Sequence, residues 1–325
     1  LRRVAEVMRE RTDEMARWLS LELGKPLDQS KGEVSMAIEQ FEWYAEEAKR
    51  IYGHVLESRQ PHGKVLIQHE PLGVVAAFTS WNFPVVLAAR KIAPALAAGC
   101  SVILRPAEEA PGSAMSLVQC LHEAGVPAGV INLINGSADT ISPILLNESR
   151  VRKISLTGSA RVGKLLIKAS AETLKRTSME LGGHAPVIIY ADADAEAIAE
   201  QAALVKFKHC GQVCASPSRY FIHESQAESF TNKFIEIAQN FKLGNGMESG
   251  IDIGPLATKK RLKEVELMVS GTLKSGARLR LGGKRPEGFD RGFFYEPTVF
   301  DQVPDHAPIM QEEPFGPLVP ITTFR

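Results

Sequence analysis

Three residues of this 325-residue chain, Cys214, Glu180 and Asn82, are of types that could do chemistry together. Cys214 sits in Gly211-Gln212-Val213-Cys214-Ala215-Ser216-Pro217-Ser218-Arg219, which reads as a loop built around one thiol. Glu180 opens Glu180-Leu181-Gly182-Gly183, where the glycines allow a turn that brings backbone close to a ligand. Asn82, in Thr79-Ser80-Trp81-Asn82-Phe83-Pro84, offers a side-chain amide. A nucleophile, a carboxylate base and an amide donor are the set that acyl chemistry on a carbonyl needs. Each has a plainer meaning when taken alone. A free thiol is usually buried, a Glu is usually a solvated charge, and an Asn before proline is usually a turn residue.

Further groups near Cys214 leave other chemistry open. His209, Cys210 and Cys214 could be metal ligands, although a fourth ligand at zinc spacing is missing. A Cys–His hydrolase pair is a second alternative, although adjacency in sequence is not how such pairs are built. Cys100 and Cys120 read as inert, and Trp81 and Phe83 read as core. Gly158-Ser159-Ala160-Arg161-Val162-Gly163-Lys164 follows an apolar strand pattern and opens a helix, a geometry that aims backbone N–H groups at phosphate. It approaches a nucleoside-triphosphate loop, but residue 165 is Leu and lacks the hydroxyl that would bind magnesium.

The three motifs in this order resemble the aldehyde dehydrogenase superfamily, over essentially the whole chain. Gly211, Gln212, Cys214 and Arg219 match its Gly-Gln-x-Cys pattern with a following Arg, and Trp81 to Pro84 match its Trp-Asn-Phe-Pro pattern. The resemblance implies that Cys214 adds to an aldehyde and that the Asn82 amide and the Cys214 N–H hold the oxyanion. Glu180 would then activate the water that hydrolyses the thioester. It implies NAD, in preference to NADP, as cofactor. The cofactor residues would be Thr79, Ser80, Trp81, Arg105, Glu108, Gly158, Ser159, Gly163, Leu181, Glu313 and Phe315. Glu108 would accept from the adenosine ribose and repel a 2′-phosphate, whereas Arg105, where the family usually has Lys, could tolerate one.

Arg90, and the segment Glu42 to Gly53, resemble succinate-semialdehyde dehydrogenases, so a small semialdehyde is the expected substrate. Arg90 would hold its carboxylate, with Lys208 at the place of a second Arg. A relative that passes the acyl group to CoA, or a non-catalytic role, is the alternative.

Composition bounds the rest. With 38 basic and 38 acidic residues the formal net charge is zero, which gives no footprint for nucleic acid or an anionic membrane. The uncharged apolar run from Ile92 to Leu104 falls short of the roughly 18 residues a membrane span needs. Four cysteines without framework spacing fit a reducing compartment, so a cytoplasmic location is expected. The chain opens at Leu1 within a helical pattern, and against the family an N-terminal stretch and a sizeable C-terminal segment are expected to be missing.

The elements that must position these residues alternate. Strand patterns at 74–79, 101–105, 130–134, 153–157 and 186–190 have helical patterns between them, which predicts an α/β fold with a mostly parallel sheet. Apolar spacing predicts helices over 30–52, 225–241 and 258–275, and a helical pattern ending near His209. The family organisation places an NAD-binding domain at 1–56 and 72–185. An oligomerisation extension at 57–71 and a catalytic domain at 186–325 complete it, and a homodimer or homotetramer is expected.

Overall fold

The computed structural model describes residues 1–325 and divides them into two compact units. One holds residues 1–18 and 31–181, the other residues 19–30 and 182–325. No helix is long and apolar enough to cross a membrane.

The first unit begins with helix α1 (Arg2–Glu10) and the first part of α2 (Thr12–Leu23). It includes most of α3 (Leu27–Glu47), which continues as a 3-10 turn over Ala48–Arg50. A hairpin comes next, with β1 (His54–Glu57) antiparallel to β2 (Lys64–Ile67). Its first strand starts ahead of the 57–71 stretch expected from sequence, because His54-Val55-Leu56 carries the pairing with Ile67-Leu66-Val65. Val55 and Leu66 are each about two-thirds exposed.

From β3 (Val74–Phe78) the chain alternates: α4 (Pro84–Ala97), β4 (Ser101–Arg105), α5 (Pro111–Glu123), β5 (Ile131–Leu133), α6 (Ala138–Asn147), β6 (Val151–Gly158), α7 (Ala160–Ser170) and β7 (Arg176–Leu181). The five strands form a parallel sheet in the order β5-β4-β3-β6-β7. β3 lies at the centre and reads as an unbroken Val-Val-Ala-Ala-Phe run, because helices cover both of its faces. Ala76, Phe78, Leu145, Leu146, Ile154, Leu156 and Leu166 pack on one side. The chain runs from β3 outward to β5, then returns to the other flank through β6 and β7. The strand order therefore reverses between β3 and β6, the place where a parallel α/β sheet generally takes a ligand at its carboxyl ends.

Helix α4 starts at Pro84, which has no N–H to leave unpaired. The next two N–H groups, of Val85 and Val86, donate to Oε1 of Glu33 at 2.9 and 3.3 Å. Glu33 is fully buried on α3, so a carboxylate sits against the positive end of the helix that comes after Asn82.

The second unit contains β8 (Pro186–Ile189), α8 (Ala195–Lys206), β9 (Arg219–His223), α9 (Ala227–Asn240), α10 (Lys259–Lys274), β10 (Arg278–Leu281), β11 (Thr298–Asp301), α11 (Pro308–Gln311) and β12 (Leu318–Phe324). Its sheet runs β10-β11-β12-β9-β8, parallel throughout except for the antiparallel β10 edge. Phe207, Tyr220, Phe230 and Phe234 form the aromatic centre of its core, with Phe207 and Phe234 rings 5.8 Å apart and edge-on. The mostly parallel α/β architecture expected from the alternating patterns is present.

Replacing Glu33 by Ala leaves two helix N–H groups without their buried acceptor, and is expected to cost about 1–3 kcal/mol of stability. Glu33→Gln, which keeps an acceptor oxygen, should lose less. Urea unfolding of the two variants checks this, and equal losses would sink the capping role.

Candidate active and cofactor sites

In the first unit the expected cofactor residues collect at the carboxyl ends of the parallel strands. Thr79 to Trp81 come directly after β3, Arg105 ends β4 with Glu108 just beyond it, and Gly158 ends β6. Ser159 caps α7, its Oγ accepting from Val162 N–H at 3.4 Å. Gly163 is buried, and a Cβ there would lie 2.8 Å from Leu181 Cδ2 at the end of β7. A side chain at this position would have to displace the Leu181 side chain for α7 to lie as close to that strand.

Arg105 is buried and its guanidinium bonds the Glu108 carboxylate and Gly136 O, the latter at 2.8 Å. Glu108 Oε1 also accepts from Ala138 N–H, 3.1 Å away at the start of α6. Thr79 Oγ1 and Arg105 Nε are buried without a hydrogen-bond partner in the protein. Two unsatisfied polar atoms at neighbouring strand ends fit a site that takes a polar ligand, such as the sugar and phosphate groups of a dinucleotide.

Asn82 is buried just before α4, and Glu180 is exposed near the end of β7. One residue that sequence reasoning passed over joins them. Lys91 is buried on α4, and its Nζ donates to Ser155 Oγ on β6 at 3.2 Å. Burial lowers its pKa to about 8, with the Glu180 carboxylate opposing that shift and Lys153 adding to it. A charged residue inside the apolar run Val85 to Ala93 was the available signal. Arg90, its neighbour, is exposed to solvent.

In the second unit Cys214 is partly exposed and Cys210 is buried; Cys100 and Cys120, in the first unit, are buried as well. The helical pattern that sequence carried to His209 ends at Lys206, and Lys208 is exposed. His209 and Cys210 are left-handed, so Cys210 does not lie one helical turn before Cys214. Burial raises the Cys210 thiol to about 12 and drives the His209 pKa well below its ordinary value. No group of three His, Cys, Asp or Glu side chains is arranged to hold a metal ion. Past the thiol, Ser218 N–H and Arg219 N–H donate to Ala185 O at 3.1 and 3.2 Å. The Arg219 guanidinium bonds His184 O at 2.7 Å, which ties the loop to the residues after Gly183.

Glu313 and Phe315 are in this same unit. A Cβ on Gly182 would come 2.5 Å from Glu313 Oε2, and Gly183 donates a backbone hydrogen bond to the carboxylate. Burial raises the Glu313 pKa, against the Gly183 N–H, Arg261 and Lys206. Lys206 is 1% exposed, and burial lowers its pKa to about 7, against the attraction of Glu313 and Cys210. Sequence gave no hint of Lys206, because a Lys at a helix end is ordinarily a solvated charge. A Cβ on Gly211 would run into the backbone oxygen of Gly316, so the approach to Cys214 rests on the Glu313–Gly316 segment.

Lys206 has a folded pKa of about 7 against an ordinary 10.5, so between those values the unfolded chain binds more protons. Stability therefore rises with pH across that window, and the full penalty of the buried charge is present below it. Lys206→Met should flatten the rise in the urea midpoint measured from pH 6 to 10, leaving the smaller part that Lys91 supplies above about 8. An unchanged slope would refute the assignment.

The model of the aldehyde dehydrogenase family matches residues 1–325. The chain is 41% identical over its whole length to a glutarate-semialdehyde dehydrogenase of Pseudomonas putida, covering 67% of that protein. It is likewise 41% identical to the NADP+-linked succinate-semialdehyde dehydrogenase of Escherichia coli, again covering 67%. The crystal structure of succinate-semialdehyde dehydrogenase from Burkholderia pseudomallei superposes with a TM-score of 0.97 at 40% identity, over 99% of this chain and 67% of that one. The chain thus spans about two thirds of the length of these relatives. On its full-length family match and these identities, the chain belongs to the aldehyde dehydrogenase family.

Proposed function

We propose that this protein oxidises a small aldehyde to its carboxylic acid with a nicotinamide dinucleotide, through a covalent thioester on Cys214. The observation that carries the reading is that Cys214, alone among the four cysteines, is not buried, and stands in the Gly-Gln-x-Cys loop of a family of aldehyde oxidisers. The Cys214 thiolate would attack the carbonyl carbon. The Asn82 amide and the Cys214 N–H would receive the negative charge that forms on oxygen, each worth about 3–4 kcal/mol of barrier. Nicotinamide, when bound, supplies the acceptor for the hydride that leaves this carbon. Glu180 would then take a proton from water, whose oxygen attacks the thioester carbon; the acid departs and the thiol is restored. Lys91, buried with its Nζ on Ser155 Oγ of β6, would stand as a cation that interacts with Glu180.

The first unit would bind the dinucleotide and the second would supply the nucleophile. Thr79, Ser80, Trp81, Gly158, Ser159, Gly163 and Leu181 would cradle the pyrophosphate and its neighbours at the strand ends. Glu313 would bond the nicotinamide ribose, with Phe315 beside the ring. The half-solvated Glu108 carboxylate supports NAD over NADP, since a 2′-phosphate would meet its charge, though Arg105 already bonds that carboxylate. The exposed apolar side chains of the β1–β2 hairpin support assembly into a homodimer or homotetramer, and the reduced cysteines support a cytoplasmic enzyme.

The substrate class would be a semialdehyde, with Arg90 and Lys208 as the cations for its far carboxylate. Its relatives bear the names of succinate- and glutarate-semialdehyde dehydrogenases. Glu180 speaks against transfer of the acyl group to CoA, because a hydrolytic base has no part in that reaction.

Cys214→Ser should abolish NADH formation, and Glu180→Gln should stop after one burst of NADH with acyl-enzyme accumulating in the mass spectrum. Turnover by Cys214→Ser, or an acyl-CoA product, would refute the hydrolytic thioester route. Assayed on succinate semialdehyde, Arg90→Ala should lose about 10- to 100-fold in kcat/KM, the worth of a charged hydrogen bond, with propanal unaffected. The parent should use NAD more efficiently than NADP, and Glu108→Ser should narrow that gap.

A further inference from the structure

His209, Cys210 and Gly211 adopt three successive left-handed conformations, with φ of 48°, 55° and 72°. Residues with a Cβ are strained in that region, so the surroundings must hold the first two there. The turn lies immediately upstream of Gln212-Val213-Cys214, and its direction decides where the loop begins.

Two side-chain amides hold the turn. Gln29 Oε1 accepts from His209 N–H at 2.8 Å, and its Nε2 donates to Asp252 O at 2.8 Å. Gln212 Nε2 donates to His209 O at 3.0 Å, and its Oε1 accepts from Ala257 N–H at 3.0 Å. Both amides are used at both ends, and they bind the left-handed turn to the segment that spans Asp252 to Ala257. Gln212 belongs to the thiol loop itself. Gln29 comes from α3, 180 residues away in sequence, and is the external support.

We propose that Gln29 is a positioning residue for Cys214, a role that depends on Cys214 being the nucleophile of the proposed function. The Gln29 carbonyl oxygen keeps the His209 N–H from joining the preceding helix, and its NH2 group fixes that oxygen against the Asp252 carbonyl. Without the acceptor at Gln29 Oε1 the His209 backbone falls back to the right-handed region that residues with a Cβ prefer. The chain then leaves the turn in another direction, and the thiol moves with it. Packing has already closed the alternative at Gly211, where a Cβ would meet Gly316 O, so the rearrangement runs forward into 212–214.

The test compares Gln29→Met, of similar length with neither donor nor acceptor, and Gln29→Glu, which keeps the acceptor for His209. The rate of iodoacetamide alkylation at Cys214 is tracked by mass spectrometry from pH 6 to 9, without aldehyde or cofactor, and kcat and KM are measured alongside. Gln29→Met should change the alkylation rate about tenfold and lower kcat about 10- to 100-fold with KM for NAD held within about twofold, as expected of a misplaced reacting atom. Gln29→Glu should recover most of both. Parent-like alkylation and kcat in Gln29→Met would overturn the proposal, as would Gln29→Glu departing as far as Met does. Should Gln29→Met not fold, Gln29→Asn, too short to reach both partners, takes its place with the same two outcomes. Alkylation involves no aldehyde, so an unchanged profile strikes the role of Gln29 and leaves the proposed function standing, whereas turnover by Cys214→Ser strikes the proposed function first and is read in a separate assay.

Discussion

Parallel pairing constrains everything else in this molecule. Two parallel neighbours cannot be joined by a tight turn, so each strand must lead into a crossover, and every strand end of one kind faces the same edge. In the first unit that edge gathers Thr79, Arg105, Gly158 and Leu181 from four different strands. None of these residues is near another in sequence. They share an edge because hydrogen-bond direction requires it, and the strand order reverses between β3 and β6, where a parallel α/β sheet generally takes a ligand.

The second theme is the use of buried charge. Glu33, Lys91 and Lys206 are all nearly or fully removed from water, and each is met by a different compensation. Glu33 has the N–H groups of a helix start, Lys91 has a serine hydroxyl and a carboxylate, and Lys206 has the Glu313 carboxylate. Burying charge is costly unless it is matched, so these groups are strongly tied to their partners. For the two lysines the match is incomplete, and their pKa values fall toward neutrality.

Much of the architecture was readable because it depends on local pattern. The strands at 74–78, 101–105 and 186–189 are short apolar runs bounded by turn residues, and α9 and α10 carry clear helical spacing. The thiol loop and the glycine pair stand out in the sequence because they are contiguous motifs. What was missed depends on partners far along the chain. Lys91 and Lys206 look like surface charges until their helices are packed. Nothing in Lys208-His209-Cys210 forecasts a left-handed turn, since two of its residues carry a Cβ and the support comes from Gln29. The first hairpin strand, His54-Val55-Leu56-Glu57, is exposed along its whole length, so no buried face marks its start in the sequence.

The close meeting of Gly211 with Gly316 has a mechanical consequence. Backbone rests on backbone there with no side chain between to compress or rotate, so neither segment has slack. Phe315 stands one residue before this contact on its own segment, and Cys214 three residues beyond it on the other. A side chain at 211 would therefore have to push the Gly316 backbone aside, so this position tolerates no residue larger than glycine without moving that segment.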